Sequence, residues 1–153
     1  MKPFRFTLEP LRVVRERQER EAMERYGQSL MEVNRCKRAL ADIDQELLWL
    51  QEECKRYLLK GAVSAHIVQQ QLYGTHLEAC RKKALEAIEA SEEKAKVAMQ
   101  AMLQARQERE IVDKFREKQR IIYDRSITVE EQKLLDELAG RRTDLALSWK
   151  LQN

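Results

Sequence analysis

Apolar residues in the first half of the chain recur at steps of three and four: Met23, Tyr26, Leu30, Val33, Cys36 or Lys37, Leu40, Ile43, Leu47, Leu50, Cys54 and Tyr57. The mean step is close to ~3.5, the spacing that keeps one helix face turned towards a partner helix over many turns. After Pro10 there is no proline, and glycine occurs only at Gly27, Gly61, Gly74 and Gly140, so few residues interrupt a helix. The pattern predicts an all-α fold, two long helices forming an antiparallel coiled-coil hairpin with the second helix longer.

Local signals place the boundaries of a single hairpin over residues 1–153. Thr7 is suited to an N-cap and Pro10 to a first turn, where a missing N–H is harmless, so helix one is expected over 8–60. Lys60-Gly61-Ala62-Val63-Ser64 reads as the turn, 61–64: a basic last residue, a glycine free to adopt the left-handed conformation, and a serine cap. Helix two is expected over 65–139, stopped by Gly140, with 140–153 as a short tail carrying Leu145, Leu147, Trp149 and Leu151. Gly74 is a weak interruption, and Thr128 with Glu131 fits a capping box inside the poorly helical Ser126-Ile127-Thr128-Val129, which suggests a hinge. Folding at Gly61 makes facing residue numbers sum to about 125 and sets Leu50 beside Thr75. The second helix brings an alanine-rich seam from Ala79 to Ala105, with Ala84, Ala87, Ala95, Ala98, Ala101 and Ala105 accompanied by Ile88, Met99 and Met102, which lets backbones approach closely.

The two helices are unequal, roughly 80 Å against roughly 110 Å at helical rise. Pairing from the turn exhausts helix one opposite residue 117, yet the overhang beyond carries Ile121, Ile122, Tyr123, Ile127, Val129, Leu134, Leu135 and Leu138. That is more apolar surface than a lone helix exposes without a partner.

Charge changes the picture by exclusion. Charged residues make up 36% of the chain and aromatics 6%, enough for a seam and too little aromatic material for a large globular core. The 29 basic and 26 acidic residues interleave, as in solvated faces with i,i+4 pairs such as Glu16/Arg20 and Glu21/Arg25, and no basic block points to nucleic acid. No transmembrane helix or signal peptide is read, which predicts a cytosolic protein without direct membrane insertion. Cys36, Cys54 and Cys80 do not face one another in this register and read as free thiols in the seam. His66 and His76 point in different directions, and Asp136 and Glu137 diverge on a helix with no cleft, so no catalytic, metal or cofactor site is expected.

The opening Phe4-Arg5-Phe6-Thr7-Leu8-Glu9-Pro10-Leu11 and the later Glu130-Glu131-Gln132-Lys133-Leu134-Leu135-Asp136-Glu137-Leu138-Ala139 resemble the two ends of the flagellar type III export protein J (FliJ) family. The Gly-x-x-Ser turn leading into Tyr73 and Leu77 agrees in order and spacing. The resemblance implies a non-enzymatic component of the bacterial flagellar type III protein export apparatus, cytoplasmic and peripheral to the inner face of the cell membrane. Members resemble the stalk of rotary ATPases, bind and promote assembly of the hexameric export ATPase, and contact the cytoplasmic part of the membrane export gate; some are chaperone-like factors for export substrates, and export chaperones are further implied partners.

Set on this chain, the overhang residues Gln132, Lys133, Leu134, Leu135, Asp136, Glu137 and Leu138 are the expected ATPase contact, and Trp49, Tyr57, Tyr73 and Leu77 the expected gate contact. Trp49 and Tyr57 fit seam packing as well as an interface. The alternatives are a chaperone-like or homodimeric coiled-coil scaffold using the same apolar overhang, and the injectisome counterpart of the stalk.

Overall fold

The computed structural model describes residues 3–61 and 63–151, with side chains as far as Arg141 except that of Ala62. It is an antiparallel hairpin of two helices, α1 over Glu9–Leu59 and a longer α2 over Ser64–Leu151. Helix α1 starts where Arg12 N donates to Leu8 O at 3.0 Å, one residue after the expected Thr7 cap, with Pro10 in the first turn. It ends as Lys60 N donates to Arg56 O at 3.1 Å and Gly61 takes φ +70°, a conformation that a Cβ would strain.

The chain divides into two compact units, Arg17–Arg106, and Met1–Glu16 with Gln107–Asn153. In Arg17–Arg106 the seam on α1 runs through Ala22, Tyr26, Ser29, Val33, Cys36, Leu40, Ile43, Leu47, Leu50, Cys54 and Tyr57, with Glu19, Glu21, Gly27, Asp44 and Glu53 half-buried at its edges. On α2 it runs through Ile67, Gln70, Gly74, Leu77, Cys80, Ala84, Ile88, Ser91, Ala95, Ala98, Met102, Ala105. Both series advance by three and four, a heptad seam. Cross-helix contacts keep the register expected from the turn: Cys54 Sγ lies 3.0 Å from Gln70 Oε1, Arg81 pairs with Asp44 at 2.6 Å, and Lys37 with Glu92 at 2.8 Å.

Gly74 does not break α2. A Cβ placed there would meet Leu50 Cδ2 at 3.4 Å, so the glycine lies directly against the seam leucine, beside the expected neighbour Thr75. The three cysteines are free and half-buried.

The seam departs from the expectation at its first turns. Met23 is 55% exposed and Leu30 faces outward, and their places are taken by Ala22 and Ser29. The phase fixed by Val33 to Tyr57, carried back at heptad spacing, lands on the smaller residues, and α2 answers with Ser91, Ala95 and Ala98. The hydroxyls tolerate burial because each bonds its own helix: Ser29 Oγ donates to Tyr26 O at 2.8 Å and Ser91 Oγ to Ile88 O at 2.8 Å.

In the second unit the first turns of α1 lie against α2, with Phe6 and Val112 buried. Pairing does not stop at residue 117 as expected. Residues 3–8 are not helical and continue along α2, so Phe4 reaches Tyr123 with ring centroids 5.4 Å apart. Thr7 and Leu8 form a turn in which Glu9 N donates to Phe6 O at 3.2 Å, and a non-helical chain rises more per residue than a helix, so a short segment covers a longer stretch of α2.

Gly140 is not a stop either, since α2 continues to Leu151 and Gly61 is the only glycine with positive φ. An interior glycine costs about 1 kcal/mol, which a helix absorbs unless the backbone is asked to reverse. The capping box at Thr128 is absent, because Thr128 Oγ1 donates back to Asp124 O at 3.0 Å and Ser126 Oγ to Tyr123 O at 2.7 Å within an unbroken helix. The side chains of Leu145, Leu147, Trp149 and Leu151 lie outside the described residues.

Candidate interaction surfaces

Two surfaces carry the candidate residues, one in each unit. The first is α2 from Val129 to Arg141, where every residue is exposed. Gln132, Lys133, Asp136 and Glu137 are polar members of this stretch, and Val129, Leu134, Leu135 and Leu138 are more than half exposed. Leucines three and four apart share a helix face, so Leu134, Leu135 and Leu138 form one apolar patch, with Asp136 and Glu137 between Leu135 and Leu138 in sequence.

Below that stretch the non-helical N-terminal segment builds an aromatic clamp. Phe6 lies 6.2 Å from Phe115, Phe4 stacks obliquely on Tyr123, and the Arg120 guanidinium sits 5.5 Å from the Phe4 ring centroid. Glu9 anchors the start of α1 through Arg12 at 2.7 Å and Arg116 at 3.7 Å. Its carboxyl is held below the ordinary value, chiefly by the hydrogen bond from Arg12, with the charges of Arg12 and Arg116 adding to it and desolvation opposing. An open groove of about 920 Å³ lies beside the clamp, lined by Pro3, Phe4, Arg5, Gln119, Ile122 and Tyr123. Sequence reasoning missed this groove. The signal present was Phe4 and Phe6 at a spacing of two, the period of an extended segment that places both rings on one side.

The second surface lies in Arg17–Arg106. Trp49 is 57% exposed and Tyr73 is exposed as well. Tyr57 is half-buried and meets the His66 ring edge-on at 4.5 Å. Leu77, at 5% exposed, belongs to the seam, so its side chain has no free surface to offer. Tyr73 donates its hydroxyl to Glu46 across the helix pair. That bond, then partial burial, then the nearby charges of Glu46 and Cys80 raise the phenol above the ordinary 10.0. Cys80 Sγ lies 3.6 Å from His76 Nε2, one turn away. Among the described residues no group of three or more His, Cys, Asp or Glu could hold a metal ion.

Two long helices joined by one turn, with a heptad seam and exposed apolar residues in both units, define a coiled-coil hairpin protein. The family described as Flagellar FliJ protein matches residues 4–146, and the chain belongs to that family. No curated protein and no solved structure matches it. The family is a non-catalytic component of flagellar protein export, and its match spans both the aromatic opening and the Glu130–Ala139 stretch.

Proposed function

We propose that this chain is the stalk of the flagellar export ATPase: α2 around Gln132 to Leu138 enters the hexameric ring and promotes its assembly, and the surface around Trp49 and Tyr73 contacts the cytoplasmic part of the membrane export gate. The protein then works in the cytoplasm, peripheral to the inner face of the cell membrane. The observation that carries the reading is the run of α2 from Val129 to Arg141 with no buried residue, whose Leu134, Leu135 and Leu138 are open to a partner. Gln132, Lys133, Asp136 and Glu137 supply the polar groups that an interface rim uses. On the gate side Trp49 and Tyr73 are the contacts, Tyr57 contributes its free edge, and Leu77 acts by holding the seam beneath them.

Truncation after Arg125 tests the reading, because it removes the exposed stretch and leaves Phe4 and Phe6 their partners on α2. The truncated chain is expected to keep its helicity and lose stimulation of the ATPase ring. Full stimulation by that truncated chain would place the socket elsewhere.

A homodimeric scaffold is the alternative, favoured by an open groove of about 580 Å³ in Arg17–Arg106 where Ala22, Ala90, Val97, Ala98 and Ala101 form an apolar floor edged by Arg25, Glu93 and Lys94. The mass in solution separates the two: a stalk is a monomer, and a scaffold self-associates.

A further inference from the structure

Residues 54–77, which span the turn, contain no aspartate or glutamate, the longest such stretch in the chain. Their cations are Lys55, Arg56 and Lys60. Arg56 pairs with Glu53 at 2.8 Å, at the edge of the stretch, and Lys55 and Lys60 are exposed. It is the removal of acid, more than an excess of base, that makes this turn positive. Around these cations the apolar residues face water: Leu59 is 88% exposed and Val63 73%, with Leu58, Val68 and Leu72 more than half exposed.

The seam residues nearest the turn are Tyr57, which packs on His66, and Ile67, and Leu58, Leu59 and Val63 between them are exposed. Leu58 and Leu59 end α1 and Val63 precedes α2, so the exposed apolar side chains flank Lys60 and Gly61 in sequence. Exposed apolar side chains with lysines beside them in sequence and no acid among them match the boundary between phosphate headgroups and acyl chains.

We propose that the turn docks on an anionic lipid bilayer, with Leu58, Leu59 and Val63 entering the headgroup–acyl boundary and Lys55 and Lys60 meeting lipid phosphates. The inference goes beyond the stalk reading and does not rest on it. Among the described residues no helix is long and apolar enough to cross a membrane, so the attachment is to the surface. Each lysine near an anionic surface raises partitioning roughly fivefold, and salt weakens that gain. The exposed leucines near Asp136 and Glu137 lack this match, because their acidic neighbours are repelled by the same surface.

The test is sedimentation of the full chain with vesicles of phosphatidylcholine alone and with vesicles containing about one-third phosphatidylglycerol. The bound-to-free ratio is expected to rise about tenfold or more with phosphatidylglycerol and to fall as salt is added. Leu59→Asp with Val63→Asp, and separately Lys55→Glu with Lys60→Glu, are expected to return it to the phosphatidylcholine level at unchanged helicity. Leu135→Asp is expected to leave it as it was. Equal binding to both vesicle types, or binding that survives both turn variants, overturns the proposal. So does a result in which the turn variants lose gate binding in lipid-free solution and vesicles never capture the parent chain, which would assign the turn to a protein partner. Ring stimulation, measured without lipid, reports on the stalk reading alone.

Discussion

The turn region and the α2 stretch from Val129 to Arg141 expose similar side chains and differ in what surrounds them. Leu58, Leu59 and Val63 sit in a stretch without acid, whereas Leu134, Leu135 and Leu138 share theirs with Glu130, Glu131, Asp136 and Glu137. Apolar exposure states only that a partner is expected; the charges beside it select the partner's chemistry. A third group of leucines completes the comparison. Leu50 and Leu77 occupy the same two helices, yet both are buried, and their role is to hold the helices together.

The largest effect should separate these roles. Leu50→Ala empties a seam position that rests on Gly74 and should cost about 2–4 kcal/mol, whereas Leu135→Ala should stay within about 0.5 kcal/mol. Denaturant unfolding of both variants checks this, and equal losses would mean that the exposed stretch is buried in solution.

Glycine substitutions give the next largest effects, with opposite signs. Gly61→Ala forces a Cβ into φ +70° and should destabilise the turn by about 1 kcal/mol. Gly74→Ala adds a methyl at ordinary contact distance from Leu50 and removes a helix-interior glycine, so a gain of about 0.5–1 kcal/mol is expected. A loss at Gly74 comparable to that at Gly61 would show that Leu50 cannot yield.

Charge reversal sharpens the comparison further. Asp136→Lys with Glu137→Lys should reduce ring stimulation several-fold at low salt and much less at high salt, because both residues are exposed and their interactions are screened. No salt dependence would make the contact apolar alone.

The smallest effect is the titration of Tyr73. Its bond to Glu46 raises the phenol above the ordinary 10.0, so the stability it contributes is fully present below the unfolded value and is lost as pH rises through the folded one. Absorbance titration should show one phenol ionising late, a component that Tyr73→Phe removes and Glu46→Gln shifts back towards the ordinary value. Persistence of that component in Tyr73→Phe would assign it to another tyrosine.

The hairpin, its turn at Gly61 and its register were legible because they depend on period and on one conformationally special glycine. The seam at Ala22 and Ser29 was not, since Met23 and Leu30 offer larger apolar side chains one residue away and periodicity alone does not choose between adjacent phases. Gly140 and Thr128 misled for a common reason: each has a conformational preference that a long helix overrides, the hydroxyl by bonding back to Asp124. The aromatic clamp escaped because a non-helical segment and a helix have different rises, so residue-by-residue pairing from the turn stops short of Tyr123. Of the four expected gate residues, Leu77 alone is deep in the seam, and its position there follows from the heptad phase that also buries Leu50.

The seam in Arg17–Arg106 climbs both helices at the same rate, with seven residues per repeat on each side. Length is therefore quantised. Adding or deleting one residue in either helix turns every later side chain by about 100° and takes the seam out of alignment, whereas a whole heptad inserted in α1 needs a matching heptad in α2. The stretch from Val129 to Leu138 is exposed along its whole length, so it can lengthen or shorten by single turns without disturbing the fold. An engineer wishing to change the reach of this protein should alter the paired arms in sevens and the exposed arm freely.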